Sequence, residues 1–287
     1  MRIKTLKTAV LIITGSLVAV ASGTPMGSPT AYLGAGRLGF GAEYGYGQMD
    51  LETSGTVTEV TGLLDTAWAQ SFRMDSLKTN MAFGTIAYGL TDNWDLFARI
   101  GATDAKSTVV VLPAIVDAEK RQDDFDGSFG LAWGVGTRAT LHKAGPWSFG
   151  GLAQITWFRP GDSEFAIEDP LIPDESWVGD TKLSYWQAQA SLAAAFQADA
   201  WRFWAGPFLQ FTQGDMDFSG NTSVGGVLTG TLNWSSTIDD SFQVGGHFGA
   251  NWEICDQFNL WGEGQITSDA WMVGVGLVLV PEKAFGI

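Results

Sequence analysis

The chain has 287 residues, with 16 Lys and Arg against 31 Asp and Glu, and its formal net charge of −15 excludes a nucleic-acid partner, since phosphate binding needs a basic footprint. Yet 45% of its residues are hydrophobic and only 16% charged, and it carries 13 Trp, 18 Phe and 37 Gly, which is oily for a secreted soluble protein and poor for helices. After the N-terminus no run of about 18 apolar residues marks a transmembrane helix, so the apolar content sits in short pieces.

In chain order, Arg2, Lys4 and Lys7 precede an uncharged apolar run from Thr8 to Ala21. It ends Ala19-Val20-Ala21, the small-x-small pattern that signal peptidase accepts, so 1–21 is expected to be a secretory signal. About 14 residues are too few for a membrane-crossing helix. Without the three cations the chain keeps 13 basic residues against 31 acidic. Residues 22–33 read as a short lead.

Ten amphipathic segments follow, predicted as strands at 34–49, 80–91, 93–104, 128–142, 147–159, 182–197, 201–213, 241–254, 257–267 and 270–280. In "WDLFARIGA" Trp94, Leu96, Ala98 and Ile100 alternate with Asp95, Phe97 and Arg99. In "FQVGGHFGANWEI" Phe242, Val244, Phe248, Ala250, Trp252 and Ile254 oppose Gln243, Gly245, His247, Gly249, Asn251 and Glu253. Such alternation outruns the strand of about five or six residues usual in soluble proteins. Short connections at 91–93, 143–146, 199–200 and 255–256 alternate with long polar stretches near 50–79, 105–127, 160–181 and 214–240. Tight periplasmic turns and long external loops have that asymmetry. The expectation is a ten-stranded antiparallel transmembrane β-barrel over 34–280, with 281–287 as a tail.

Aromatic residues stand in two rows on the apolar face. Trp94, Trp147, Trp201, Trp252 and Phe258 adjoin the short turns and are expected to form a periplasmic belt, while Tyr46, Trp157, Trp186, Phe211 and Trp271 form the outer one. The apolar face then meets lipid, because a closed barrel leaves no unpaired backbone in hydrocarbon. The competing arrangement is a secreted barrel with its apolar face inward, as in fatty-acid carriers. Gly39, Gly41, Gly45, Gly134, Gly136, Gly245, Gly249, Gly274 and Gly276 on the opposite face suit a crowded interior better than a solvated exterior. Arg37, Arg99, Arg138 and Arg202 balance Glu43, Asp95, Glu253 and Glu263 on the inward set, with His247 among them. Arg202 and Glu253 are expected to pair.

The segments "GLTDNWDLFARIG", "AWGVGTRATL" and "WAGPFLQFTQGDMD" resemble strands of small bacterial outer-membrane barrels of the opacity-porin and outer-membrane-protein-A type. The resemblance implies an outer-membrane location, surrounding lipid and lipopolysaccharide, and insertion by the barrel assembly machinery. Such barrels commonly end on an aromatic residue. Here "PEKAFGI" follows the last strand, although Gly274, Leu277 and Leu279 keep the spacing of the assembly signal.

Chemistry is sparse. An omptin-type protease needs an Asp-Asp pair opposite an Asp-His pair, and the chain has only His142 and His247 and no Asp-His dipeptide; the Asp pairs lie at 123–124 and 239–240. Lumen histidines hydrogen-bonded to neighbours are the expectation. Asp162, Glu164, Glu168, Asp169, Asp174, Glu175 and Asp180 form an acidic stretch that could attract a cation, without EF-hand spacing. Leu64, Trp68 and Phe72 recur at helical spacing and could form a short helix at the mouth; Val109 to Val116 extends strands 3 and 4 as a hairpin. Cys255 is a buried or turn-side thiol. The reading is a monomer without cofactor, structural or porin-like with narrow, weakly cation-favouring permeability. A surface-binding barrel and a membrane enzyme are the alternatives.

Overall fold

The computed structural model describes residues 23–61, 64–112, 121–168 and 175–281; the expected signal at 1–21 lies outside them. Eleven strands follow in order: β1 (Leu38–Thr61), β2 (Leu64–Thr91), β3 (Trp94–Leu112), β4 (Arg121–Ala144), β5 (Trp147–Arg159), β6 (Ser163–Glu168), β7 (Glu175–Ala198), β8 (Trp201–Val224), β9 (Val227–Cys255), β10 (Phe258–Ile266) and β11 (Ala270–Leu279). Sequence neighbours other than β5 and β6 pair antiparallel, and β1 pairs β11 while β5 and β6 both pair β7, so the sheet runs in a ring. Each of the ten expected segments coincides with a strand or part of one, and tight turns stand where expected, at 92–93, 145–146, 199–200 and 256–257.

The eleventh strand arises at Pro160, which ends β5 because it has no amide to donate. The Gly161 amide crosses to the Ser128 carbonyl (2.8 Å), and β6 then resumes on the neighbour that β5 left: Phe158 lies opposite Tyr185, and Ser163 opposite Thr181.

A larger departure concerns the long connections. The stretches expected as polar loops are, among the described residues, upward continuations of the strands, and the helix expected around Leu64, Trp68 and Phe72 is part of β2. A spacing of four satisfies period 2 as well as period 3.6. In these extensions the large apolar residues point in: Phe72, Phe165, Phe218 and Trp234 are at most 3% exposed, with ring centroids 4.2 Å apart for Phe72–Trp234 and 5.0 Å for Phe218–Trp234. Nearer the turns large apolar residues face out as well as in. Ile100, Phe203, Phe242 and Phe248 face out, 64%, 47%, 63% and 58% exposed.

Register shifts mark the border between the two halves. Asp75 and Ser76 oppose the single Asp50, Ser128 and Phe129 oppose Asp104, and Asp239 and Asp240 oppose Gln213. Each is the two-against-one pattern of a β-bulge, which bends a strand and re-aims its side chains. Ser76 takes φ 55°, and its amide is held by Asp50 (2.7 Å).

Candidate functional site

The lower interior is occupied by the chain itself. Residues 23–36, "GTPMGSPTAYLGAG", hold two prolines and four glycines, which bar both helix and regular strand. They lie inside the ring: Thr24, Met26 and Leu33 are 0%, 3% and 1% exposed. An irregular segment buried there must find partners for its backbone groups one by one.

Lumen side chains supply them. Arg99 on β3 donates to the Pro25 carbonyl (2.7 Å), and Gln265 on β10 to that of Thr24 (2.9 Å). Glu263 accepts from the Met26 and Gly27 amides (2.6 and 2.8 Å). Further down, the Ala31 amide donates to Thr140 (3.1 Å), that of Tyr32 to Asp95 (3.0 Å) and that of Ala35 to Asp92 (3.0 Å). Arg138 lies between two rings, its guanidinium carbon 4.6 Å from the Tyr32 centroid and 4.8 Å from that of Phe97. Above the segment Gln189 receives from Gln154 (2.6 Å) and donates to Gln210 and Gln265 (3.0 Å each), a ceiling of amides under the aromatic cluster.

Shape follows charge. Gly45 and Gly274 are opposite one another in register, and a Cβ on Gly45 would stand 2.7 Å from Pro25 Cγ, one on Gly274 3.3 Å from Pro25 Cβ. Gly27 takes φ 71°, a conformation glycine enters without penalty, and its amide donates to Glu263.

The inward set is therefore placed as follows. Asp95, Arg99, Arg138, His247 and Glu263 are buried, Arg37, Glu43 and Arg202 half-buried, and Glu253 exposed at the turn-side mouth. Arg99 reaches Glu43 at 3.5 Å and also bonds Gln154; Arg37 donates to the Pro281 carbonyl. The expected Arg202–Glu253 pair does not form. Arg202 stands opposite Asn251 rather than Glu253 and donates to Gln197 (2.9 Å), its register partner on β7, and to Thr30 of the lead (3.4 Å).

Neither histidine carries a catalytic arrangement. His247 is 1% exposed, neither ring nitrogen has a hydrogen-bond partner among the described residues, and its ring lies 6.2 Å from that of Phe208, which corrects the expectation of hydrogen-bonded lumen histidines. His142 stacks on Phe149 at 6.5 Å. Asp124 accepts from Thr108 and Asp126 pairs with Lys106 at 2.7 Å.

The acidic stretch is a strand hairpin. Asp162 is 3.7 Å from Lys182, Glu164 opposes Asp180, Glu168 ends β6 and Glu175 begins β7; Asp169 and Asp174 lie outside the described residues. Among the described residues no three His, Cys, Asp or Glu side chains gather to hold a metal. Val109 to Leu112 extends β3, with 113–120 outside the described residues, and Cys255 is exposed at its turn.

On the outer face Trp94, Trp147, Trp201, Trp252 and Phe258 are exposed beside the turns, with Trp201 stacked on Trp252 at 5.6 Å. Tyr46, Trp157, Trp186, Phe211 and Trp271 are half-exposed just below the bulges; Trp157 opposes Trp186, and Tyr46 meets Trp271 at 5.3 Å. Trp201 and Phe211 are ten residues apart on β8, as are Trp147 and Trp157 on β5. That is about 33 Å of strand, or about 25 Å of height at the usual tilt of about 40°.

Sequence reasoning missed the lead as a lumen occupant. It has no periodicity, and the signal was on other strands: glycines at facing lumen positions, leaving room for something.

No family model matches the chain, and no curated protein does. Among solved structures, it is similar to the outer membrane protease OmpT from Escherichia coli (TM-score 0.47, 9% identity, covering 85% of this chain and 97% of that one). It is also similar to the outer membrane protein OprG from Pseudomonas aeruginosa (TM-score 0.45, 10% identity, 87% and 99%) and to an outer membrane channel from Pseudomonas putida F1 (TM-score 0.38, 14% identity, 90% and 100%).

Proposed function

We propose that the chain is an integral outer-membrane barrel of the small opacity-porin and outer-membrane-protein-A type, with β5 and β6 sharing one of ten wall positions, and that its role is structural. The turn-side half is the membrane span, with the turns in the periplasm and the extensions outside. Lipid is its solvent and lipopolysaccharide its outer neighbour; the barrel assembly machinery inserts it after removal of 1–21. It works as a monomer without cofactor and is not an enzyme, since among the described residues neither histidine has a carboxylate partner.

The observation that carries the structural reading is two closures in series: the lead fills the lower lumen, and the aromatic cluster around Trp234 fills the upper one. Permeation is narrow and needs both to yield. It is weakly cation-favouring, because Asp50, Glu52, Asp215 and Asp217 stand exposed outside while the lumen charges balance.

Planar-bilayer recording tests this. Steady conductance of large, ohmic steps from the intact chain overturns the structural reading, and anion-selective reversal potentials overturn the charge assignment. Topology is tested with the native thiol. A polymer-linked maleimide should label Asp217→Cys in intact cells in a Cys255→Ser background, and should reach Cys255 of the unmodified chain only after the outer membrane is opened.

A further inference from the structure

We propose that the lower lumen is a binding site for an extended, uncharged peptide, with residues 23–35 as its resident ligand. This rests on the lead being the lower closure and adds that the closure is a recognition event. The contacts carry it. Nine hydrogen bonds from surrounding side chains go to its backbone: two carbonyls receive from Arg99, Gln154 and Gln265, and five amides donate to Glu263, Thr140, Asp95 and Asp92. No residue from 23 to 36 has a charged side chain, so the segment meets the charged groups of the lumen with peptide dipoles, while Arg99 also lies 3.5 Å from Glu43.

The backbone that carries these groups is placed independently of the segment. Asp95 and Arg99 belong to β3, Thr140 to β4, and Glu263 and Gln265 to β10, each fixed by its strand register. A preorganised set of donors and acceptors aimed into a groove is what a peptide site requires. Selectivity comes from shape. Proline is seated between Gly45 and Gly274, and the glycine two residues on, whose amide donates to Glu263, takes a positive φ that residues with a Cβ rarely adopt. The preferred sequence therefore contains Pro-x-Gly.

The covalent link is not part of the site. Gly34 and Gly36 take φ 77° and 72° in a turn where Ala35 and Gly36 are exposed, so the segment hangs from a loop at the turn-side end. A chain cut there keeps every lumen contact named above except that of Ala35. An external peptide of the same pattern would enter from the periplasmic side and compete with the lead.

The experiment uses a variant lacking residues 23–35, refolded in detergent, and a fluorescent synthetic peptide of that sequence. Saturable binding is expected, with competition by the unlabelled peptide. A scrambled peptide should fail to compete, and both a Gly27→Val peptide and a Glu263→Gln barrel should bind about tenfold or more weakly. Should the shortened barrel not refold, a protease site placed between Ala35 and Gly36 of the full chain allows cutting, unfolding and refolding with excess labelled peptide. Label in the folded barrel then supports the proposal. A folded barrel that takes up no peptide, or takes the scrambled one equally well, overturns it. The closure reading fails separately, through conductance of the intact chain.

Discussion

On β8 the outward residues near the turn are Trp201, Phe203 and Leu209, and further up the same face they are Asp215, Asp217 and Ser219; the inward residues change from a mixture of Arg202, Gln210 and Thr212 with Trp204 and Phe208 to the apolar Met216 and Phe218. On β9 the outward set changes from Phe242, Phe248 and Trp252 to Thr231, Asn233 and Ser235, with Trp234 and Ile238 turned in. On the reading proposed above, one wall serves two solvents. Below the bulges hydrocarbon would lie outside, and polar groups kept inside would be met in part by the lead. Above the bulges water would lie outside, and the hydrophobic effect would pack the interior as in any soluble β-protein.

Removing a large ring from each half should separate the two halves most. Trp234→Ala should cost about 3–5 kcal/mol in unfolding measured in detergent, since Trp234 is buried against Phe72, Phe165 and Phe218. Phe248→Ala, on the outer face below, should cost at most about 1 kcal/mol because the ring is 58% exposed and detergent fills its place. Equal losses would mean that the upper interior is not a packed core.

Placing a cation outside is the complementary change. Ile100→Arg puts a charge in the middle of the apolar band and should cost about 2–4 kcal/mol when unfolding is followed in liposomes. Ser235→Arg, on the outer face of the extension, should stay within about 0.5 kcal/mol. If both were neutral in liposomes, the lower band would not lie in lipid.

The lower half was legible in the sequence and the upper half was not, for a physical reason. Strand alternation has period 2 whichever solvent is outside, so Trp201 and Phe203 could be assigned a lipid face only because indoles recur beside the turns. In the extensions the outward Asp, Ser and Thr lower the mean hydropathy to that of a loop. The extra residues at Asp75–Ser76, Ser128–Phe129 and Asp239–Asp240 also shift the phase, so no single alternation runs the length of β2, β4 or β9. Asp95, Arg99 and Glu263 were recognisable as inward, but not what they hold. A segment such as "GTPMGSPTAYLG" reveals its place only through the groups that receive it.

Glu263 tests that holding. Glu263→Leu removes the acceptor of two buried amides, Met26 and Gly27, and should destabilise the folded chain by about 1–3 kcal/mol, the cost of leaving buried donors unsatisfied. In the variant lacking 23–35 the same change should cost less or even stabilise, since no amide then needs the carboxylate. Identical losses in the two backgrounds would show that Glu263 acts on the wall and not on the lead.

The smallest expected effect concerns Arg202, and it separates the observed register from the ion pair that its charge suggests. The guanidinium donates to Gln197 across the turn between β7 and β8 and to Thr30 of the lead, while Glu253 stands two residues beyond its strand partner Asn251. A hydrogen bond of this kind in a half-buried site contributes about 0.5–1.5 kcal/mol. Arg202→Met and Gln197→Ala should therefore couple by about that much in a double-mutant cycle read by unfolding in detergent. Arg202→Met and Glu253→Gln should be additive within about 0.3–0.5 kcal/mol, the range for residues that share no contact. Glu253 is exposed at the mouth, where water screens what attraction remains across the cavity that both residues line. A Glu253 coupling larger than the Gln197 coupling would mean that Arg202 turns toward the mouth, and would take from the lead the contact at Thr30.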